Sequence, residues 1–495
     1  MKQLSGQDSI FVYAESPGMP MHILGVTIYN PATAPNGEFT YEHLWQHFKS
    51  RIHLARVFHQ RLVEVPLGMD QPYWIEDCSF QLESHLQRVN LPPPGDWQAL
   101  CDLVGRLHAL PLDRNRPLWM GYMIEGLDGI AGMKPGCFAL LLKVHHAAMD
   151  GISGVEMYMA MHDVSPEPRI IEKGPPEQLE DEPSAINLLS RAYVHNWGKV
   201  GKMTALARQL WPAYQRIREG RRTGQFSESV EKPSTRFNGK VSARRVVGIQ
   251  RFNFETLSEI KHTVTGATIN DVVLAIVSGG LRRYLLAKGE LPEQSLVSGC
   301  PVNVRADRER GLAGNAVGFM NVSLCSDIAN PEHRLIAIQR ASTEAKAYRR
   351  ALGERLVMEL PEAMPAALLS NVLPLLERTG LLYLPKPVFN TVVTNVPGLP
   401  LDFYLGGAKV VTGFGVGPLL PNVGLFHTVT SNICKGRGEA ALSFAACPRM
   451  LPDPMVYASC LQDSFEELVR AVVPGRQPLQ LQPRPRVVKN ARKAA

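Results

Sequence analysis

Lys143-Val144-His145-His146-Ala147-Ala148-Met149-Asp150-Gly151 decides how this chain is read, because it sets a titratable base at the end of a buried apolar run. The run, Cys137 to Val144, follows the turn pair Pro135-Gly136 and has the pattern of a strand covered on most of both faces. Side chains alternate along a strand. If the extended geometry persists, His145 and His146 point to opposite faces, one lining a cavity and the other packing. Asp150 and Gly151 supply a turn, and the next segment places Val155, Tyr158, Met159 and His162 at helical spacing.

Upstream, Pro20-Met21-His22 precedes a strand-like run to Tyr29, and His22 taken alone reads as a packed or capping histidine. Tyr41 to Val57 reads as a helix, with Arg56 and Arg61 near its end. Trp97 to Leu110 is amphipathic, with Leu100, Leu103, Val104 and Leu107 on one face. It leads into Pro117-Leu118-Trp119 and a further strand, Met120 to Ile124.

Downstream, Pro166-Glu167-Pro168, Gly174-Pro175-Pro176 and an acidic run ending at Pro183 mark a linker. A basic helical arm follows, with Met203, Leu206, Leu210, Tyr214 and Ile217 at helical spacing and a kink expected at Pro212. It suits an arm packed on the body, and equally a helix lying on an anionic membrane. A second domain begins near Ser242. Within it Thr268 and Asp271 resemble a capping box that opens a long helix and puts Asn270 in the first turn. Strands are expected at Leu296 to Val304, Met320 to Leu324, Phe389 to Val396, His427 to Ile433 and Ala440 to Ala446, with a last helix from Asp463 to Val472. Strands and helices mix without regular βαβ alternation, which gives an α+β (mixed α/β) class. The units read as 1–165, 166–241, 242–473 and a basic, disordered tail over 474–495.

With 495 residues, 45% apolar and 20% charged, the chain can bury two substantial cores. The net charge of +7 is local: the tail holds Arg476, Arg484, Arg486, Lys489, Arg492 and Lys493 and no acid, which suits a solubilising end or an anionic surface. No nucleic-acid partner is expected. The eight cysteines are scattered without metal-ligand spacing and read as reduced thiols of a cytoplasmic protein; no signal peptide or membrane span is expected.

The segment His145 to Gly151 matches the H-H-x-x-x-D-G motif of coenzyme-A-dependent acyltransferases and condensation domains. Pro20-Met21-His22, Pro117-Leu118-Trp119, Asn270-Asp271, Pro301-Val302-Asn303-Val304-Arg305, Gly314-Asn315 and Asn395-Val396-Pro397-Gly398 accompany it. Their order resembles bacterial wax ester synthase/diacylglycerol acyltransferases from Leu4 to about Val473, with Asn303 where many relatives have Ser and Cys447-Pro448 where others carry an acid. The resemblance implies a two-lobed chloramphenicol-acetyltransferase-like fold with the histidine in a channel between the lobes. It also implies fatty acyl transfer from acyl-CoA to a fatty alcohol or to diacylglycerol, with no metal and no cofactor, on the inner membrane or lipid inclusions. His146 would be the general base and His145 its support. Asp150 would pair with Arg56 or Arg61, and Asn270 or a backbone N–H near Gly151 would face the oxyanion. Asn303 and Arg305 would line or brace the channel, and Pro117-Leu118-Trp119 would shape an apolar wall. Three rival readings are a metal site on His145, His146 and Asp150, a non-catalytic lipid-droplet or membrane scaffold, and a condensation-type enzyme with a carrier-protein donor.

Overall fold

The computed structural model describes residues 1–149, 151–172, 182–224, 226, 232–303, 317–353, 361–383, 386–398, 400–434 and 437–475. The amino-terminal part contains β1 (Lys2–Gln3), α1 (Gly6–Ala14), β2 (His22–Asn30), α2 (Tyr41–Arg51), β3 (Gln60–Val63), β4 (Tyr73–Glu76) and β5 (Leu86–Asn90). It continues through α3 (Trp97–Ala109), β6 (Trp119–Glu125), β7 (Phe138–His145) and α4 (Gly151–Met161). A 38-residue helix, α5 (Ala185–Arg222), leads to β8 (Val246–Asn253), α6 (Phe254–Thr263), α7 (Ile269–Lys288), β9 (Val297–Asn303), β10 (Val317–Ser323) and α8 (Pro331–Leu352). The remainder is α9 (Ala366–Thr379), β11 (Thr391–Val396), β12 (Tyr404–Leu405), β13 (Ala408–Val416), β14 (Leu425–Cys434), β15 (Arg437–Ala446) and α10 (Pro454–Val472).

These elements build two six-stranded sheets, ordered β12-β13-β2-β7-β6-β5 and β10-β9-β11-β14-β15-β8, plus a small sheet β1-β4-β3. The mixed α/β, two-lobed expectation holds. From β8 onward the strands join the second sheet, with the exception of β12 and β13. β13 lies far into the carboxy-terminal half, yet it pairs antiparallel with β2, from Lys409 opposite Asn30 to Val416 opposite Leu24. An unpaired β2 would leave a row of open backbone groups, and β13 closes that edge. Gly413 sits in this strand where close approach of β2 leaves no room for a side chain: a Cβ there would stand 2.9 Å from the Val26 carbonyl oxygen.

One apolar core spans both sheets. It joins Leu24, Val26 and Ile28 of β2, Leu100, Leu103, Val104 and Leu107 of α3, and Val247 and Ile249 of β8. The helical spacing of the α3 leucines makes this possible, since it presents one continuous face to the second sheet. Helix α7 lies deeper still, with Val272 to Leu281 buried all round. Its ends are those read from the sequence: Thr268 and Asp271 form a reciprocal capping box, and Gly289 terminates it in a left-handed conformation at φ 70°.

Other boundaries differ. Helix α2 stops at Arg51 and continues as two short 3₁₀ turns, and Arg51 turns inward to hold Asp163 through Nη2 at 2.7 Å. Helix α10 begins nine residues before the expected Asp463, at Pro454, where a proline costs no helical hydrogen bond. Helix α5 runs unbroken through Pro212. It is packed rather than free: Lys199 Nζ donates to Asp70 Oδ1 at 3.0 Å and Gln71 Oε1 at 2.7 Å, and Leu188, Ala192, Leu206 and Ala213 are buried. No described helix is long and apolar enough to cross a membrane. The basic tail beyond residue 475 lies outside the described residues.

Candidate active site

Two antiparallel strands bring the first features together. His22 begins β2, His145 ends β7, and they stand directly opposite each other in register. Opposed residues of an antiparallel pair share a face, so the two imidazoles meet edge to face with centroids 5.9 Å apart. Both rings are buried. The extended backbone ends there, and His146 opens a 3₁₀ turn, so the two neighbouring histidines diverge by a change of backbone rather than by strand alternation alone.

The turn is held at three points. The His145 N–H donates to the Leu118 carbonyl at 3.0 Å and the His146 N–H to the Met21 carbonyl at 2.8 Å. The Ala147 N–H donates to His145 Nδ1 at 3.1 Å. The His146 ring lies flat on Phe11 of α1, with centroids 3.9 Å apart and planes 9° from parallel. Burial pushes the His146 imidazole down to about 4, with a smaller push from His145. The ring is therefore neutral at cellular pH and able to accept a proton, although burial also weakens its proton affinity.

A carboxylate absent from the sequence reading completes this arrangement. Glu15 follows directly on α1, and its Oε1 stands 3.2 Å from His22 Nε2 and 3.6 Å from His145 Nε2. The same oxygen accepts the Met21 N–H at 3.3 Å. Its Oε2 accepts from Arg114 Nε at 3.0 Å and Nη2 at 2.8 Å. Burial alone would push the Glu15 carboxyl up, but the neighbouring His145 and His22 rings outweigh it and hold the group well below the usual carboxylate range. His22 is pushed down to about 4 by burial, which Glu15 only partly offsets. Lys143, one strand period before His145, is buried with Nζ donating to the Leu107 and Leu110 carbonyls; burial lowers it to about 8. A small cleft between α1 and α9 opens onto Glu15, lined also by Tyr13, Ser16, Met19, Leu373 and Glu377.

The other expected residues are distributed more widely. Leu118 packs in a small cluster with Leu4, Val12, Leu62 and Ala147, beside the histidine turn. Trp119 is fully buried, stacks on His85 at 4.8 Å, meets Phe58 edge-on at 5.0 Å and donates from Nε1 to the Phe58 carbonyl at 3.0 Å. Pro117 accepts the Trp119 N–H at 2.8 Å, which closes the bend before β6. The contacts of Leu118 and Trp119 are thus mainly packing contacts. Asp271 caps α7 through the N–H and hydroxyl of Thr268, at 2.8 and 2.7 Å. Asn270 is half-buried in the first turn, and its side chain has no hydrogen-bond partner among the described residues. No hydrogen bond, ion pair or ring contact among those residues joins it to His146.

Gly151 starts α4, and Asn303 ends β9 opposite Val317. Asp150 and Arg305 lie outside the described residues. Of the two arginines expected near Asp150, Arg61 stands 3.1 Å from Glu182 and 3.9 Å from Asp77, whereas Arg56 is exposed and has no ion pair among the described residues. No group of three metal-ligating side chains occurs among the described residues.

Comparison with known proteins agrees with this architecture along almost the whole chain. The wax ester synthase/diacylglycerol acyltransferase catalytic domain matches residues 4–273, and the C-terminal domain of the same family matches residues 313–469. The Mycobacterium tuberculosis H37Rv protein named "Putative diacyglycerol O-acyltransferase Rv1760" is 31% identical over 476 residues, covering 95% of this chain and 90% of its own. Among solved structures, the wax ester synthase/diacylglycerol acyltransferase of Marinobacter aquaeolei VT8 superposes with a TM-score of 0.66 at 25% identity, covering 95% of this chain and 100% of its own. The first condensation domain of the calcium-dependent antibiotic synthetase shares the fold, with a TM-score of 0.57 at 14% identity over 96% of this chain and 98% of its own. The chain belongs to the wax ester synthase/diacylglycerol acyltransferase family and is an acyltransferase.

Proposed function

We propose that the protein transfers a fatty acyl group from acyl-CoA to the hydroxyl of a long-chain alcohol, giving wax ester, or of diacylglycerol, giving triacylglycerol, with His146 as general base. The observation that carries this reading is the neutral His146 ring at the head of the motif turn, fixed by its backbone to Met21 and by its face to Phe11. In the proposed step His146 takes the proton from the acceptor hydroxyl while that oxygen attacks the thioester carbonyl. Collapse of the tetrahedral intermediate breaks the C–S bond and expels CoA thiolate, which recovers the proton from the same ring. No metal or cofactor is required. General-base help of this kind is worth roughly 10²–10⁴-fold. Asn270 is a candidate donor to the oxyanion, and Asp150 with Arg56 or Arg61 a candidate structural pair.

The exposed side of α5 supports peripheral attachment to an anionic membrane or lipid inclusion. Tyr193, Trp197 and Trp211 are 67%, 67% and 64% exposed, on a helix with eight basic residues and one acidic. Aromatic rings beside cationic side chains suit a headgroup layer. Purified protein given palmitoyl-CoA with hexadecanol, or with diacylglycerol, is expected to release CoA and form the corresponding ester. No CoA release with either acceptor overturns the reading.

A further inference from the structure

We infer that Glu15 is a positioning residue for the reaction: its ionised carboxylate fixes the tautomer of His145 and, through His145 and Met21, the placement of the His146 ring. The inference rests on the proposed role of His146 as base.

Two short routes connect Glu15 to that ring. In the first, Glu15 Oε1 faces Nε2 of His145 at 3.6 Å, while Nδ1 of the same imidazole accepts the Ala147 N–H at 3.1 Å. A neutral imidazole carries one proton. A carboxylate on the Nε2 side favours the proton there, which leaves the Nδ1 lone pair free to accept from Ala147. The Ala147 bond closes the turn in which His146 sits. In the second route Glu15 Oε1 accepts the Met21 N–H at 3.3 Å, and the Met21 carbonyl accepts the His146 N–H at 2.8 Å. The carboxylate thus holds Ala147, the residue after His146, and the backbone of His146 itself.

The position of Glu15 in the fold reinforces this. It stands one residue beyond α1, whose Phe11 carries the face of the His146 ring. The same helix therefore delivers the ring's apolar support and the carboxylate behind its neighbour. Arg114 neutralises Oε2 through Nε and Nη2 and also donates to the Val12 carbonyl at 2.8 Å, so the guanidinium locks the carboxylate and the end of α1 together. Arg114 belongs to the segment preceding Pro117-Leu118-Trp119, whose Leu118 carbonyl accepts the His145 N–H. Separate pieces of the first lobe thus converge on one carboxylate.

Replacement by an isosteric amide cannot reproduce this. With the amide NH₂ on one side it opposes the Arg114 guanidinium, and turned over it presents donors to Nε2–H of His145 and to the Met21 N–H. For Glu15→Gln in the full-length protein the expected result is a fall in kcat of about 10–100-fold, of the kind seen when a group that orients a functional imidazole is lost. KM for palmitoyl-CoA should stay near wild type. Glu15→Asp, which keeps the charge, should recover part of the loss. In the wild-type protein labelled with ¹⁵N-histidine, the His145 signal, assigned by its loss in His145→Asn, should show the proton on Nε2.

A proton on Nδ1 of His145 in the wild-type protein overturns the inference, and so does a folded Glu15→Gln variant whose kcat lies within twofold of wild type. Should Glu15→Gln not fold, the wild-type spectrum decides alone. Full activity in His146→Ala would overturn the proposed base itself, whereas an inactive His146→Ala beside an unimpaired Glu15→Gln would remove only the role of Glu15.

Discussion

His145 and His146 are consecutive, yet one faces a carboxylate and the other a benzene ring. Around His145 stand Glu15, His22 and, beyond the carboxylate, Arg114: charged or polar groups in a buried pocket. His146 lies flat against the apolar ring of Phe11. A buried charge is tolerated only when paired, so the first neighbourhood is built to stay fixed. In the second neighbourhood burial disfavours the charged imidazole and keeps the ring neutral. The two side chains are chemically identical, so what distinguishes them is their surroundings.

The largest effect expected from this contrast is in His146→Ala, which should lower kcat for CoA release by about 10²–10⁴-fold with little change in melting temperature. A loss under twofold would break the distinction between the two rings. Helix α5 shows the same division with inside and outside exchanged: charge is buried where Lys199 meets Asp70, and aromatic rings face water. Replacing Trp197 and Trp211 together by Ser should weaken binding to vesicles of anionic phospholipid by at least about tenfold, since burying each large apolar side chain is worth about 1.5–3 kcal/mol. Equal co-sedimentation of variant and wild type would show that this face does not meet lipid.

The smallest expected effect is a displacement along the pH axis. A base works when unprotonated, so the acid limb of kcat/KM should fall away as pH drops through about 4, the value to which burial pushes His146. In Phe11→Ala water reaches the ring, the protonated form is better solvated, and the limb should move upward toward the ordinary imidazole value of about 6.5. A limb that stays in place would mean that Phe11 supports the ring without setting its proton affinity.

Much of this molecule was legible in its sequence, for reasons that can be named. The β7 strand, the α3 face and the Thr268–Asp271 cap are local patterns of period, spacing and hydrogen bonding, and each appears where its residues place it. The motif order was enough to give the family. Glu15 was missed because its role is made by contacts with residues 7, 99 and 130 positions away, at His22, Arg114 and His145. One local signal did exist: Ser5 caps α1 by accepting the Asp8 N–H at 3.0 Å, a Ser-x-x-Asp pattern that would have started a helix and left Glu15 just past its end. The destination of β13 had no such signal. Nothing between Ala408 and Val416 says which sheet it will join, because pairing between distant strands is settled by the whole fold.

That pairing bears on how the protein is made. The edge of β2 next to His22 is closed by a segment that leaves the ribosome 378 residues after Asn30, counting from 30 to 408. At roughly 5–20 residues per second the wait is on the order of 20–80 s. During synthesis the nascent first sheet carries a strand with open backbone donors and acceptors, the kind of surface that recruits chaperones or other chains. Premature termination after β7 and before β13 would therefore leave a fragment with that edge open.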